Sequence, residues 1–326
     1  MLILSQNDVR ALLDLDQLVE AVAAAMADLS AGRASMPPRG AALVADRHAL
    51  LATMPAYLPS CRALTAKVVS QFPDNRDRPA HQGIICCFDP NTGTPRAVMD
   101  ADYVTAVRTA AGSALATRLL ARADAKVVAV IGTGVQARSH VVALARHPGV
   151  RLLRIAGRDQ AKAEAVAAQL AADGLPVEPV PNIRAAVESA DIVCTTTHAA
   201  EPVIARRWLK PGAHINSVGY NRGGRGEVDN ATIADSLVVV ESRNAALAPP
   251  PSGAIELRNA IAEGVISADH VHAELGELVA GDTQGRTDDV QLTLYKSVGV
   301  AVQDAAAAAL ILAAAERAGV GVRVEM

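Results

Sequence analysis

The segment from 126 to 140, KVVAVIGTGVQARSH, constrains the fold more than any other part of the chain. A run of β-branched and small apolar residues, Lys126 to Ile131, leads directly into Gly132-x-Gly134-x-x-Ala137 and then into residues that suit a helix. A bare glycine pattern says little. A buried-type strand before it, a helix after it and another apolar strand one βαβ unit later give it meaning. Gly132 permits the tight turn, Gly134 lets the backbone approach a pyrophosphate, and Ala137 is small enough for a helix to close on a strand. The amides of the helix start then face the phosphates, aided by the helix dipole. The turn residues Gly132, Thr133, Gly134, Val135 and Gln136 are therefore candidate cofactor contacts.

The texture around this motif agrees with it. RLLRIAG, ADIVCTTT, AHINSVG and SLVVVES are short Val/Ile-rich runs separated by helical stretches such as AKAEAVAAQLAA. That alternation predicts an α/β protein with a Rossmann-type, doubly wound parallel sheet covered on both faces. Ligands of such sheets bind beyond the carboxyl ends of the strands, so Thr195, Thr197 and Val218 join the candidate cofactor set. The second strand ends Ile155-Ala156-Gly157-Arg158. An Asp or Glu at the Gly157 position would accept from a ribose 2′-hydroxyl. Glycine followed by a guanidinium suits a 2′-phosphate instead. The expectation is NADP(H), with NAD(H) as the alternative. The plainer reading of Arg158 is a solvated side chain before a helix that Asp159 caps.

Bulk properties exclude several classes. Of the 326 residues 51% are hydrophobic, 20% charged and 2% aromatic, with a formal net charge of −3. No basic stripe invites a nucleic-acid backbone. Cys61, Cys86, Cys87 and Cys194 lack zinc spacing, and His270-x-His272 has no further ligand pattern beside it, so no metal is expected. No apolar run reaches the length of a membrane span. The four residues before Ser5 are too few for a signal segment, which points to the cytoplasm.

Residues before the glycine motif mix an early helical stretch, Asp8 to Leu29, with strands such as TAKVVS and GIICCFDPNTG and a helix from Asp102. The final helix is expected over about Leu294 to Ala318, with Ser297 in its first turn as a contact to nicotinamide or substrate. SMPPRG around Arg39, TAKVVS around Lys67, DPNTGTPRAVMD, Arg108-Thr109-Ala110-Ala111, GTGVQA and LYKSVGVAVQDAAAA occur in that order along nearly the whole chain. Together they resemble the ornithine cyclodeaminase/mu-crystallin family.

The resemblance implies an N-terminal α+β substrate-binding and dimerisation domain over 1–120, completed by 300–326. A Rossmann domain then occupies 121–299, and the protein is a homodimer. It also implies that Arg39, Lys67 and Arg108 hold the carboxylate of a small amino or imino acid. An anion taken out of water needs such charge, and arginine grips a carboxylate bidentately. Lys67 lies in an apolar strand pattern, where burial lowers an ammonium pKa, which makes it a candidate proton donor.

Asn221 stands where cyclodeaminases and related alanine dehydrogenases carry a catalytic Asp. An amide cannot act as a general base. The sequence therefore reads as closer to the ketimine reductase branch, with Asn221 hydrogen-bonding near the substrate nitrogen. The expected reaction is reduction of Δ1-pyrroline-2-carboxylate or Δ1-piperideine-2-carboxylate to L-proline or L-pipecolate. Two alternatives stay open. One is an NAD-dependent cyclodeaminase or amino-acid dehydrogenase using another acid, such as Glu227 or Asp229. The other is a non-catalytic NADPH- or ligand-binding protein.

Overall fold

A computed structural model describes residues 1–219, 223–250 and 252–325. It divides into two compact units, residues 1–108 with 299–326, and residues 109–298.

Unit 1 begins with β1 (Leu2–Leu4), α1 (Gln6–Leu12) and α2 (Leu15–Ser30). The helical pattern expected over Asp8 to Leu29 thus breaks in two. Asp14 ends one helix's reach and caps the next, its side chain accepting from the Gln17 amide at 2.8 Å. Five strands follow: β2 (Gly40–Val44), β3 (Ala49–Leu58), β4 (Ala63–Gln71), β5 (His81–Phe88) and β6 (Pro95–Asp100). Helix α3 (Asp102–Leu120) starts in this unit and continues into the second.

In β3 and β4 buried and more exposed residues alternate, the period-2 signature of a sheet with one covered face. The covering comes from α11 (Ala301–Ala318), and α2 packs against α11 while burying Leu15, Leu18, Val22, Ala25 and Met26 at helical spacing. Alanines dominate α11, and their small side chains let it settle close against β3, β4 and α2. The last strand, β15 (Val322–Arg323), pairs with β1 and completes a seven-stranded sheet of order β15-β1-β6-β5-β4-β3-β2.

Unit 2 alternates strand and helix: β7 (Val127–Ile131), α4 (Val135–Leu144), β8 (Leu152–Ala156), α5 (Gln160–Ala172), β9 (Val177–Pro179), α6 (Ile183–Glu188) and β10 (Ile192–Thr195). It continues with β11 (His214–Ser217), α7 (Asn230–Asp235), β12 (Ser236–Val240), α8 (Arg243–Ala246), α9 (Ile255–Ala262), β13 (Val271–Glu274), α10 (Leu275–Ala280) and β14 (Leu292–Lys296).

Its eight strands run parallel in the order β13-β12-β14-β11-β10-β7-β8-β9. Alternate residues of β7 feed different cores. Val128 and Val130 pack with Ala137 and Val141 of α4 and Val166 of α5, while Ala129 and Ile131 pack with Ala186 and Val187 of α6. This is the doubly wound α/β arrangement expected from the sequence. From β7 the chain winds to β8 and β9, then returns to β10 on β7's other side. The order therefore reverses between β7 and β10, which is where such sheets bind ligands.

One element differs from the sequence reading. The stretch from Leu292 to Lys296 is a fully buried strand, and α11 begins only at Ala301. LTLYK carries a β-branched and an aromatic residue and inserts between β11 and β12. Gly299, at φ 73°, turns the chain before the helix starts. Among the described residues no helix is long and apolar enough to cross a membrane.

Candidate functional site

The glycine turn sits at the carboxyl end of β7. Gly132 has φ 134°, a conformation open to glycine, and its N–H donates to the Ala156 carbonyl at 2.8 Å. A Cβ there would lie 2.5 Å from Thr196 Oγ1. Thr196 in turn donates its amide (2.9 Å) and its hydroxyl (3.0 Å) to the Ile131 carbonyl. The ends of β7 and β10 are thereby locked at the switch point.

Helix α4 starts at Gly134 with no side-chain cap, whereas Asp159, Asn182 and Asp229 cap α5, α6 and α7. A Cβ on Gly134 would meet nothing within 4 Å. Gln136 Oε1 is buried without a hydrogen-bond partner, and Ala137 is fully buried. Uncapped first-turn amides, open space above Gly134 and an exposed Val135 form a cradle that fits a pyrophosphate. Gly157 sits close to the turn: a Cβ there would lie 3.0 Å from Thr133 Cγ2. Beside it Arg158 is exposed, with no hydrogen bond or ion pair among the described residues, and Asp159 caps α5 by accepting from the Lys162 amide.

Beyond the ends of β10, β11, β12 and β14 lies a buried polar network that the sequence reading did not anticipate. Glu227 is 2% exposed. It accepts from Thr195 Oγ1 at 2.8 Å, the Thr197 amide at 2.5 Å and the Gly219 amide at 2.6 Å. Burial pushes its carboxyl up, and the nearby Lys296 and the donors from Thr197 and Thr195 offset part of that. Lys296 is itself buried. It pairs with Glu256 at 3.0 Å and donates to the Gly219 carbonyl at 3.0 Å. Ser297 and the Val298 amide donate to the buried Glu241 at 2.9 and 2.7 Å.

Of the sequence-selected residues, Thr195 and Thr197 are therefore held by Glu227. Val218 is nearly buried in the core beneath α4 and α5. Ser297 lies in the link between β14 and α11, not in a helix turn. Asp229 caps α7, and its other oxygen accepts from the Arg206 amide at 3.2 Å. Asn221 lies outside the described residues. Among the described residues no cluster of three His, Cys, Asp or Glu could hold a metal.

In unit 1 the structure brings Lys67 and Arg108 together through Asp304. Lys67 Nζ stands 2.8 Å from Asp304 Oδ2, and Arg108 Nε donates to Asp304 Oδ1 at 2.9 Å. All three are buried. Lys67 projects from β4 at a position whose strand neighbours are Met54 and Ile85, and it also donates to Thr105 Oγ1 at 3.4 Å. Arg108 Nη1 donates to Gln303 Oε1 at 2.9 Å. Arg39 Nη2 donates to the Gly299 carbonyl at 2.6 Å and stands near enough to disfavour the Lys67 charge.

Burial pulls the Lys67 ammonium down to about 8, Asp304 works against the shift, and Arg108 and Arg39 add to it. Burial alone would raise the Asp304 carboxyl, but Arg108 and Lys67 outweigh it and hold the group below its ordinary range. Lys67 and Arg108 carry two positive charges against the one carboxylate between them, in surroundings closed to water. Such an arrangement favours an incoming anion. Asp304 was the readable clue that the sequence reading passed over: a single acid in the alanine-rich turn VAVQDAAAAA must find a cation if that face is buried.

Comparison with known proteins adds to this geometry. The family model described as "Ornithine cyclodeaminase/mu-crystallin family" matches residues 1–319. A Delta(1)-pyrroline-2-carboxylate reductase of Bacillus cereus is 35% identical over 329 residues, covering 100% of both chains. The structure of Thermococcus litoralis Delta(1)-pyrroline-2-carboxylate reductase in complex with NADH and L-proline superposes with a TM-score of 0.94 at 36% identity, covering 99% of this chain and 100% of that one. An archaeal alanine dehydrogenase dimer with bound NAD superposes with a TM-score of 0.92 at 31% identity, covering 100% and 99%.

Proposed function

The chain belongs to the ornithine cyclodeaminase/mu-crystallin family, and on that premise we propose that it is an NAD(P)H-dependent reductase of cyclic ketimine carboxylates, taking Δ1-pyrroline-2-carboxylate to L-proline. The observation that carries the proposal is the buried Lys67–Asp304–Arg108 cluster, found in a chain that also holds an uncapped glycine cradle. Similarity to reductases of this substrate supports the five-membered ring.

Arg108 and Arg39 grip the substrate carboxylate, the planar guanidinium fixing its orientation. Lys67, charged below about pH 8, donates a proton to the imine nitrogen. When bound, a reduced nicotinamide would supply the hydride equivalent needed to take the C=N carbon to C–H. One hydride and one proton balance the reduction, and no water or ammonia is exchanged. Asn221 hydrogen-bonds near the substrate nitrogen. The first-turn amides of α4 hold the pyrophosphate, Arg158 the 2′-phosphate of NADP(H), and Thr195, Thr197, Val218 and Ser297 lie against the rest of the nucleotide. NADPH is preferred over NADH.

The active protein is a homodimer. The sheet face of unit 1 turned away from α2 and α11 exposes Leu51 and Ile84 beside Val68, Cys86 and Val98. A second copy covers that apolar surface, as large exposed apolar patches on monomers are uncommon. Similarity to a dimeric alanine dehydrogenase supports this.

That same similarity favours one rival reading, an alanine dehydrogenase-like activity in which the cation cluster holds a linear amino acid. The test is steady-state turnover by purified protein of three mixtures. These are Δ1-pyrroline-2-carboxylate with NADPH or NADH, pyruvate with ammonia and NADH, and ornithine with NAD. Saturable nicotinamide oxidation confined to the cyclic imine is the expected result. Proline and ammonia from ornithine, or faster turnover of pyruvate, overturns it.

A further inference from the structure

We propose that Asp304 is a positioning residue for the reduction: it fixes the distance between Lys67 and Arg108 and keeps Lys67 protonated for transfer to the imine nitrogen. This inference rests on the reading of the cluster given above and assigns a role to a residue whose carboxylate lies against the two cations.

The geometry points to this role. Asp304 stands in the first turn of α11, away in sequence from both partners, and is fully buried. Each of its oxygens faces a different cation, Oδ2 toward Lys67 from β4 and Oδ1 toward Arg108 from α3. A single rigid carboxylate thus spans the two side chains. One of these delivers a proton and the other holds a carboxylate, and their spacing must match the distance from imine nitrogen to carboxylate on one small ring. Side chains that long otherwise have several rotamers. Gln303, the preceding residue, holds Arg108 Nη1, so the same helix turn fixes the guanidinium at two points.

The charged groups that face Lys67 are Asp304 from α11, Arg108 from α3 and Arg39 from the segment before β2. Its strand neighbours Met54 and Ile85 are uncharged. Asp304 is thus the one group among these that favours the ammonium. Without it, two arginines and a dry environment act together against the charge.

The test compares wild type, Asp304→Asn and Asp304→Glu in pH profiles of kcat/KM for Δ1-pyrroline-2-carboxylate, with NADH binding by fluorescence on the same preparations to establish that each variant is folded. In wild type kcat/KM falls as pH rises through about 8, where Lys67 loses its proton. Asp304→Asn moves that basic limb at least one unit toward acid and lowers kcat at least tenfold at pH 8, with part of the loss recovered at pH 6. The NADH Kd stays within about twofold.

Asp304→Glu keeps the charge but shifts the cations. Its limb stays in place, while KM rises and kcat falls several-fold. If Asp304→Asn does not fold, Asp304→Glu alone decides: wild-type KM and kcat in that variant overturn the proposal. A pH-independent loss in Asp304→Asn, proportional to the unfolded fraction, overturns it as well. Wild-type protein that turns over the imine while both variants match it sinks only the Asp304 assignment. Wild-type protein that does not turn it over sinks the functional reading itself.

Discussion

Gly299 packs so closely on Arg108 that a Cβ placed on it would lie 2.8 Å from the guanidinium Nη1 and 2.9 Å from Nη2. The same residue has φ 73° and offers its carbonyl to Arg39. It therefore shapes the surroundings of Arg108 and Arg39 by being small, by turning the chain into α11 and by presenting its carbonyl. Gly299→Ala is predicted to raise KM for the cyclic imine at least tenfold, since left-handed strain of about 1–3 kcal/mol adds to displacement of Arg108. NADH affinity is predicted to change little. Kinetics and nucleotide titration on one preparation check both halves.

Gly132 makes the complementary prediction for the nucleotide. A Cβ there would meet Thr196 Oγ1 at 2.5 Å, and the hydroxyl that must give way bonds to the end of β7. Gly132→Ala is expected to weaken binding of both NADPH and NADH by at least tenfold, measured by fluorescence titration. Gly134→Ala is expected to act through the cradle itself, since the space above Gly134 is open to ligand, and to leave thermal stability within a few degrees of wild type. Unchanged nucleotide affinity in both variants contradicts the assignment of the turn.

Arg158 is exposed and unpaired among the described residues, so its removal costs the free protein little. Arg158→Ala is predicted to raise the KM for NADPH by roughly tenfold, the order expected for a charge-assisted hydrogen bond, and to leave the KM for NADH unchanged. Equal behaviour with both nucleotides, before and after the substitution, contradicts recognition of the 2′-phosphate.

Stability should fall on mild acidification because of two buried histidines. Burial lowers His140 to about 4 and His214 to about 3 from an ordinary value of 6.5. His140 lies between Ser113 Oγ and the Gln136 carbonyl, and His214 between Thr293 Oγ1 and Asn216 Oδ1. In each case the folded value lies below the unfolded one, so the unfolded chain takes up the proton first. The contribution is whole above about pH 6.5 and is lost as pH falls from there toward the folded values, at up to about 1.4 kcal/mol per pH unit for each histidine. Urea midpoints at pH 7.5, 6 and 5 should decline in that order. His140→Asn and His214→Asn should each flatten the decline, even where they lower stability at pH 7.5.

The parts of this molecule that were legible in its sequence are those whose signal is local. The strand, the glycine turn and the helix from Lys126 to His140 are contiguous, and each residue's conformational demand is its own. Lys67 stood out because an ammonium in the middle of TAKVV must be either exposed or partnered. Strand β14 is illegible for a physical reason: LTLYK is a short apolar run abutting a long alanine helix, and periodicity does not separate a five-residue buried strand from a helix turn. What the sequence hid is pairing at a distance. Asp304 with Lys67 and Arg108, Glu227 with Thr195, and Glu256 with Lys296 are side chains brought together only by the winding of two sheets.

On the proposed reading, the Gly132 turn would hold a reduced nicotinamide, and Arg108, Asp304 and Lys67 would anchor and protonate the cyclic imine that it reduces. Reduction of Δ1-pyrroline-2-carboxylate with NADPH stereospecifically deuterated on either face of nicotinamide C4 measures this directly, with the product read by NMR. One of the two labelled cofactors should yield proline deuterated at C2 and nowhere else. Proline formed without label from either cofactor, or no proline at all under saturating nucleotide, contradicts it.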